Sequence, residues 1–315
     1  MANRRPKVSA LVITYNHAHY IAEALNSIYA QTYKDYEVIV VDDGSTDGTP
    51  DLMWQWPTAQ YHYQQNQGLN PALNRSIELS NGEYLAILAA DDSWTPQRLE
   101  RQVAILDSRP DIGMVYGDAM VVDEHGQPIR RFNEVYPVQP GDFAEELFTH
   151  YCFVSSQTLL IRRTVFEHLG GFWGPTAISD YLKWIEIGIY YNVLYVDEIM
   201  GNYRRHQNNM TRANAGNFKF RSTLIGLAEL LEKHPAFAKR LGERRSRRFS
   251  NVYFRNGVHH MINNDTTTAR HLFGEALRRR PSYPAALAGL TASLIAPQFS
   301  AQAAKALYNW RVPYR

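Results

Sequence analysis

The stretch at 84–94, YLAILAADDSW, joins an apolar run to two adjacent aspartates. The same arrangement occurs earlier, at 36–43, where YEVIVV leads directly into another pair of aspartates. Short apolar runs rich in β-branched residues are typical of buried strands. We therefore predict strands at 36–41 and 84–90, each ending in paired negative charge.

The segments around these two strands alternate between strand-like and helix-like patterns. Alternation of this kind predicts an α/β fold with βαβ units and a largely parallel sheet. In such sheets, ligands bind beyond the carboxyl ends of the strands, where both acidic pairs fall. The remaining predicted strands are 7–14 and 61–64. The predicted helices are 19–31, 71–79 and 95–108, and a further helix starts within 47–54.

The rest of the chain changes character twice. From about 110 to 210 the pattern is mixed, with a helix predicted near 142–149. From about 215 it becomes helical and more basic, with arginine runs at 244–248 and 278–280. Part of this region resembles half of a helical repeat, but the sequence shows no second copy. This change of composition predicts a boundary between a domain at 1–214 and a helical extension at 215–315.

Bulk composition excludes several classes of protein. Hydrophobic residues make up 45% and charged residues 20%, which is ordinary for a soluble domain. A net charge of +2 gives no indication of a nucleic-acid partner. A single cysteine permits no intramolecular disulfide, and no apolar run approaches the roughly 18–20 residues that span a bilayer. We find no signal peptide and expect a cytoplasmic protein; the oligomeric state stays open.

Each acidic pair admits a local structural role and a chemical one. Asp91 and Asp92 repel each other unless a hard cation such as Mg²⁺ or Mn²⁺ neutralises them; alternatively, Asp92 or Ser93 merely caps the next helix. Asp42 could accept the imide N–H of a uracil or a ribose hydroxyl, while Asp43 could shape a turn. The loop that follows has neither a phosphate-cradling nor a dinucleotide-binding glycine pattern.

Three motifs in combination resemble the family-2 inverting glycosyltransferases with the GT-A fold. They are ITYN at 13–16, VDDGSTDGT at 41–49 and NGEYLAILAADD at 81–92. The resemblance is dense over 7–110, which it marks as the nucleotide-sugar-binding half. It is sparser over 111–214, the acceptor half, and it implies a Rossmann-like, mostly parallel sheet flanked by helices.

The resemblance implies roles for residues of the first half. Thr14, Tyr15 and Asn16 would meet the nucleobase where the first strand ends, and Asp42 would read the base. Tyr15 would offer its ring for stacking, although this segment could also be only a strand terminus.

The second acidic pair and the segment before it carry the other roles of the first half. Asp92 would be a metal ligand and Asp91 a contact to the sugar or ribose, without the further acid found two residues on in the family. Asn74 would contact the nucleotide-sugar, but this chain has Ala-Leu-Asn where the family has Ala-Arg-Asn. A helper arginine is therefore missing there, although Arg75 lies beside it.

The resemblance continues at GGF, 170–172, and at SDYLKW, 179–184. It implies that Asp180 is the catalytic base, although Asp180 could instead cap the helix predicted at 180–189. Ser179 stands where the family has a second acid. Trp173 and Trp184 could form a sugar platform or belong to the core, and the apolar helix face around Trp184 favours the core.

The last match is YRRHQNNMT at 203–211, similar to a family loop that covers the diphosphate. It implies that Arg204 or Arg205 binds phosphate oxygens and that His206 completes the metal site, although a lone histidine is often structural.

Taken together, the resemblance implies inverting transfer of a sugar from a UDP- or dTDP-linked donor, with Mn²⁺ or Mg²⁺ as cofactor. The acceptor would be a hydroxyl of a glycan or lipid-linked saccharide, in bacterial surface polysaccharide assembly. The alternatives are an inactive family member that binds nucleotide or glycan and a nucleotidyltransferase; a receiver-like switch would leave the second half unexplained. The basic extension could contact the inner face of the cytoplasmic membrane or simply pack as a helical cap.

Overall fold

The computed structural model describes residues 5–207, 209 and 217–295. The chain divides into two compact units. The first unit comprises residues 1–144 and 152–207, and the second comprises 145–151 and 208–315. The sequence-based boundary at 214/215 stays a prediction; by contacts the division falls after residue 207, and the short segment 145–151 groups with the C-terminal helices.

Within the described residues, nine strands form one sheet in the first unit. The order is β3-β2-β1-β4-β8-β6-β9-β5, with β7 paired to β6. The strands are β1 (Val8–Thr14), β2 (Tyr36–Asp42), β3 (Gln60–Tyr63), β4 (Tyr84–Ala89), β5 (Ser93–Trp94), β6 (Ile112–Val122), β7 (Pro128–Arg131), β8 (Leu160–Arg162) and β9 (Asn192–Arg204).

The prediction of parallel βαβ units is confirmed for the first half of the sheet. β1 pairs in parallel with both β2 and β4, and β2 pairs in parallel with β3. The second half is mixed, because β8 pairs antiparallel with β4 and β6, and β5 pairs antiparallel with β9. The longest pairing of this half, between β6 and β9, is parallel, so the predicted α/β fold with a mostly parallel sheet is confirmed.

The helices of this unit follow the predicted apolar stripes closely. Residues Ile21, Ala24, Leu25 and Ile28, predicted to form one stripe, are all buried. The predicted helix at 95–108 begins only at Arg98, because the backbone N–H of Thr95 still donates to Met200 of β9 and residues 96–97 form a turn. The helices as far as residue 190 are α1 (Ile21–Tyr29), α2 (Thr49–Leu52), α3 (Leu69–Leu79), α4 (Arg98–Ser108), α5 (Phe143–Thr149), α6 (Arg163–Leu169) and α7 (Ser179–Tyr190). Most of α5 groups with the second unit.

The core of the first unit lies between the sheet and helices α1 and α4. It contains alternate residues of β1, β2 and β4 together with the apolar stripes of both helices. Because side chains alternate across a strand, this pattern fixes the register of the parallel strands. The register aligns Thr14 with Asp42 at the carboxyl edge of the sheet.

The second unit is helical where it is described. Its helices are α8 (Asn217–Lys233), α9 (Pro235–Leu241), α10 (Glu243–Ile262), α11 (Thr266–Arg279) and α12 (Pro284–Ile295). The last three share a core that includes Phe254, Val258 and Phe273. Across the described parts of both units, no helix combines the length and apolar character needed to cross a membrane.

Candidate functional site

The loops after β1 and β2 are joined to each other at the carboxyl edge. Asn16 adopts a left-handed backbone conformation (φ 58°), which asparagine tolerates better than most residues. Its backbone N–H donates to Ser45 Oγ (2.8 Å), and its side-chain oxygen accepts from the backbone N–H of Thr46 (2.8 Å). Beside it, Tyr15 is 47% exposed, while the buried Thr14 hydroxyl has no partner among the described residues.

The first acidic pair is buried and supplied with hydrogen-bond donors. Asp42 accepts from the backbone N–H of Ser45 (2.8 Å) and from the Tyr61 hydroxyl (2.7 Å). Asp43 accepts three hydrogen bonds, from the Gln64 side chain and from the backbone N–H groups of Gln67 and Gly68. Asp43 thus fixes the loop that leads into α3.

The second acidic pair is contacted by the end of β9 and by the residues that follow it. Asp92 accepts from the backbone N–H of Arg204 (2.8 Å), and Asp91 Oδ2 lies 3.0 Å from His206 Nε2. The alternative that Asp92 or Ser93 caps the following helix is wrong, because α4 begins at Arg98 without a side-chain cap.

The pKa values of the two carboxyl groups of this pair are shifted in opposite directions. Burial raises the pKa of Asp92 well above its usual value, and the negative charge of Asp91 adds to the effect. Burial would also raise the pKa of Asp91, but the hydrogen bond from His206 and the proximity of His17 outweigh it, so the pKa is lowered. Neighbouring carboxyl groups whose pKa values are shifted in opposite directions are candidates for a functional site.

Two aromatic residues of the loop after β1 surround His206. The His206 ring lies 4.8 Å from the Tyr20 ring and 6.4 Å, edge-on, from the His17 ring, between ring centroids. The buried His17 Nδ1 has no hydrogen-bond partner among the described residues, and burial lowers the pKa of His17. Sequence reasoning missed His17; its position directly after TYN was the available signal.

Arg204 connects the acidic pair to the surrounding elements. Its guanidinium donates to the backbone oxygens of Asp91 (3.0 Å), Asp123 and Glu124 (both 3.2 Å) and pairs with Glu23 of α1 (2.5 Å). The side chain is 2% exposed. These contacts position the turn at 91–92.

The phosphate-binding role of Arg204 remains a prediction, and the neighbouring Arg205 is exposed. Residues 208, 210 and 211 of the matching loop lie outside the described residues.

Asp180 lies in the first turn of α7, in a second cluster. It accepts from the Ser156 hydroxyl (3.1 Å) and from the backbone N–H of Tyr181 (2.7 Å). The residue preceding the helix is Ile178, which makes no side-chain cap. Asp180 therefore does not occupy the capping position, and its role as base remains a prediction.

The turn at 170–174 is held by hydrogen bonds from both α3 and α7. Asn74 both donates to the Phe172 carbonyl (3.0 Å) and accepts from its N–H (2.7 Å). From the other side, the buried Lys183 donates to the Gly170 carbonyl (3.1 Å) and pairs with Glu186 (2.5 Å). The structure therefore places Asn74 as a support of this turn, and its contact to the donor remains a prediction.

The two tryptophans of this region differ in environment. Trp184 is 0% exposed, which confirms that it belongs to the core. Trp173 is half-buried, and its indole N–H donates to Glu186 (2.9 Å).

The donor set is compatible with a divalent cation that takes some of its ligands from substrate. No group of three or more His, Cys, Asp or Glu side chains within 5–207, 209 and 217–295 is arranged to hold a metal. Mg²⁺ is commonly held by one or two carboxylates together with substrate phosphates and water. Asp92, whose buried carboxyl group has a raised pKa, fits that pattern together with Asp91, with His206 as a further donor.

A sheet of this topology, with acidic residues along its carboxyl edge, is that of a GT-A glycosyltransferase. S. aureus TarS (residues 1–349) in complex with UDP-GlcNAc has a TM-score of 0.63 at 17% identity, over 96% of this chain and 92% of that chain. The mannosyltransferase PcManGT of Pyrobaculum calidifontis, in complex with GDP-Man and Mn²⁺, has a TM-score of 0.60 at 22% identity, over 97% and 86%. These likenesses concern the fold.

The chain belongs to glycosyl transferase family 2, whose sequence model matches residues 9–170, more than half of the chain. It is 29% identical over 225 residues to an uncharacterised glycosyltransferase of Nostoc sp., covering 66% of this chain and 68% of that protein. It is 31% identical over 137 residues to the teichuronic acid biosynthesis glycosyltransferase TuaG of Bacillus subtilis, covering 42% and 54%. The matched region thus spans about half to two thirds of these relatives.

Proposed function

We propose that the protein transfers a sugar from a UDP- or dTDP-linked donor to a hydroxyl of a glycan or lipid-linked acceptor, with inversion, in surface polysaccharide assembly. The observation that carries the proposal is the pair Asp91–Asp92 at the carboxyl edge, of which Asp92 is buried, with His206 against Asp91 and Arg204 against Asp92. The family assignment makes the protein a glycosyltransferase and leaves the nucleotidyltransferase alternative without support. The name of TuaG supports a role in cell-surface polymers.

The donor would lie along the loops after β1 and β2. Tyr15 offers an exposed ring for the base, and Thr14 has a hydroxyl without a partner among the described residues. Asp42 already accepts two hydrogen bonds, but a carboxylate has about four acceptor positions, so an imide N–H can still be accommodated. Uracil and thymine share that imide edge. TarS was solved with UDP-GlcNAc and PcManGT with GDP-Man, so a donor panel must include a guanine nucleotide.

Asp92, with Asp91 and His206 beside it, would hold Mn²⁺ or Mg²⁺. When bound, such an ion supplies charge stabilisation for a departing diphosphate. The residues themselves favour a cation, because a nearby positive charge would relieve the repulsion that raises the pKa of Asp92. Arg204 holds the turn at 91–92 in place through its backbone and guanidinium contacts.

The transfer itself needs one base. The acceptor oxygen attacks C1 of the donor sugar while its proton passes to the Asp180 carboxylate. The bond from C1 to the phosphate oxygen breaks, and the nucleoside diphosphate leaves with the electron pair. A single displacement of this kind inverts C1 and requires no covalent intermediate.

The proposal is tested by following nucleoside diphosphate release from UDP-, dTDP- and GDP-sugars with Mn²⁺, Mg²⁺ or EDTA. Water serves as a slow acceptor, so no polysaccharide is required. We expect release from one uridine or thymidine donor, abolished by EDTA. Binding of a donor without any release would indicate a binding subunit, and the absence of both release and nucleotide binding would refute the proposal.

Two variants separate the roles of the carboxylates. Asp180→Asn is expected to lower release by about 10²–10⁴-fold while donor binding, measured by calorimetry, is retained. Asp92→Ala is expected to weaken the metal-dependent part of donor binding. Asp111→Asn is the matched control, since Asp111 is an exposed carboxylate that pairs with Arg109. Release by Asp180→Asn at the native rate would remove Asp180 from the mechanism.

A further inference from the structure

Charge is divided very unevenly between the two units. The first unit carries 15 Lys and Arg residues against 24 Asp and Glu, whereas the second carries 18 against 7. Their formal net charges are therefore −9 and +11, which the whole-chain value of +2 conceals. An asymmetry of this size suggests that the second unit meets a partner of opposite charge.

Helix α12 of the second unit has an apolar outer face. Its sequence, PAALAGLTASLI, contains no charged residue. Ala285, Ala286 and Ser293 are buried on its inner side. Leu287 and Leu294, seven residues apart and hence on one face, are 56% and 58% exposed. A helix on the surface of a soluble protein normally presents charged or polar residues at such positions.

Arginines lie at both ends of this helix. Arg278, whose side chain is 74% exposed, and Arg280, whose guanidinium lies over the Tyr283 ring, come shortly before α12. At the other end, Arg270 donates to the carbonyl oxygen of Ser293. Of these arginines Arg278 is the exposed one, and exposed leucines near such a cation suit a membrane interface, because the arginine can reach headgroups while the leucines enter the acyl boundary.

We propose that the outer face of α12, with its bordering arginines, docks on the surface of an anionic phospholipid bilayer. A second copy of the chain is a poorer occupant, since a symmetric contact would bring two units of net charge +11 together. A soluble polyanion would pair with the arginines but leave Leu287 and Leu294 in water. An anionic bilayer matches both the charge and the apolar face.

The proposal is tested by flotation of the full chain with vesicles of phosphatidylcholine alone or with about 30% phosphatidylglycerol. We expect binding only to the anionic vesicles, and release in high salt, because surface charge is screened. The double variant Leu287→Glu with Leu294→Glu should lower the partition coefficient at least about ten-fold. Trp54→Glu, which removes a 78% exposed apolar side chain from the first unit, is the matched control and should bind as the wild type does.

A second pair of substitutions tests the charge independently of the leucines. Arg278→Gln with Arg280→Gln, the two arginines shortly before α12, should weaken binding to anionic vesicles without affecting nucleoside diphosphate release. Failure of the wild type to float, or undiminished flotation of the leucine variant, would overturn the proposal. So would a fall in melting temperature or a smaller oligomeric state of the leucine variant than of the wild type, because either means that protein covers this face. None of these readouts depends on sugar transfer.

Discussion

The buried ion pair of α7 gives a sharp test of how the first unit is stabilised. The side chains of Lys183 and Glu186 are 0% and 6% exposed, and their charged atoms lie 2.5 Å apart. Removing two charges from water is costly, so such a pair adds little net stability, yet breaking it leaves one charge buried without its counter-charge. Lys183→Met should therefore lower the free energy of unfolding by about 3–5 kcal/mol.

The matched double variant distinguishes a buried charge from a simple loss of packing. In Lys183→Met with Glu186→Gln no charge remains, and the new amide oxygen can still accept from the Trp173 indole. We expect this variant to lie within about 1.5 kcal/mol of the wild type, since neutral replacements of similar volume often cost little. The double-mutant cycle should then show a coupling of about 2 kcal/mol or more.

Denaturant unfolding followed by tryptophan fluorescence measures these values, because five of the six tryptophans lie in the first unit. A loss of 3–5 kcal/mol corresponds to a fall in melting temperature of about 6–20 °C for a unit of this size. A cost below about 1 kcal/mol for Lys183→Met, or strict additivity of the two substitutions, would refute the reasoning.

Three further predictions use the same unfolding measurement. Asp43→Asn should cost about 1–3 kcal/mol because an amide cannot accept all three of its hydrogen bonds, whereas Asp92→Asn should be nearly neutral; equal costs would contradict this. Gly82→Ala should cost about 1–3 kcal/mol, since a methyl group would lie 2.5 Å from the backbone nitrogen of Ser9, and wild-type stability would contradict that contact. Burial raises the pKa of Tyr84 to about 12, so stability should be complete below about pH 10 and fall as pH rises towards 12; Tyr84→Phe should remove that part of the slope, and an unchanged slope would contradict the assignment.

The local pattern of apolar residues was sufficient to predict the strands and the helix that form the nucleotide-sugar-binding half. The strands before both acidic pairs and the apolar stripe of α1 follow from periodicity, because each is decided by which face is buried. The two-residue strand β5 has no such signal. It exists because Ser93 and Trp94 pair with Asn202 and Gly201, more than a hundred residues away. The start of α4 shifts for the same reason.

The site was predictable only in part. The approach of Asp91 to His206 depends on tertiary structure, and only family resemblance put the two together before the fold was known. The pairing of Arg204 with Glu23 and the burial of His17 have no signature in either segment alone. Long-range charge pairing is decided by how strands return across the sheet, which composition and periodicity do not specify.

The two acidic pairs that end strands β2 and β4 serve different purposes. The carboxylates of Asp42 and Asp43 are met by backbone and side-chain donors, so their burial is compensated within the protein and they hold the loops together. Asp92 accepts from the backbone N–H of Arg204, but burial and the like charge of Asp91 raise its pKa. A protein tolerates an under-compensated buried carboxyl group where a ligand supplies the missing positive charge. Hydrogen bonds within the protein therefore account for the burial of the first pair, in which Asp42 keeps an acceptor position for the proposed nucleobase, and the proposed cation would account for the second.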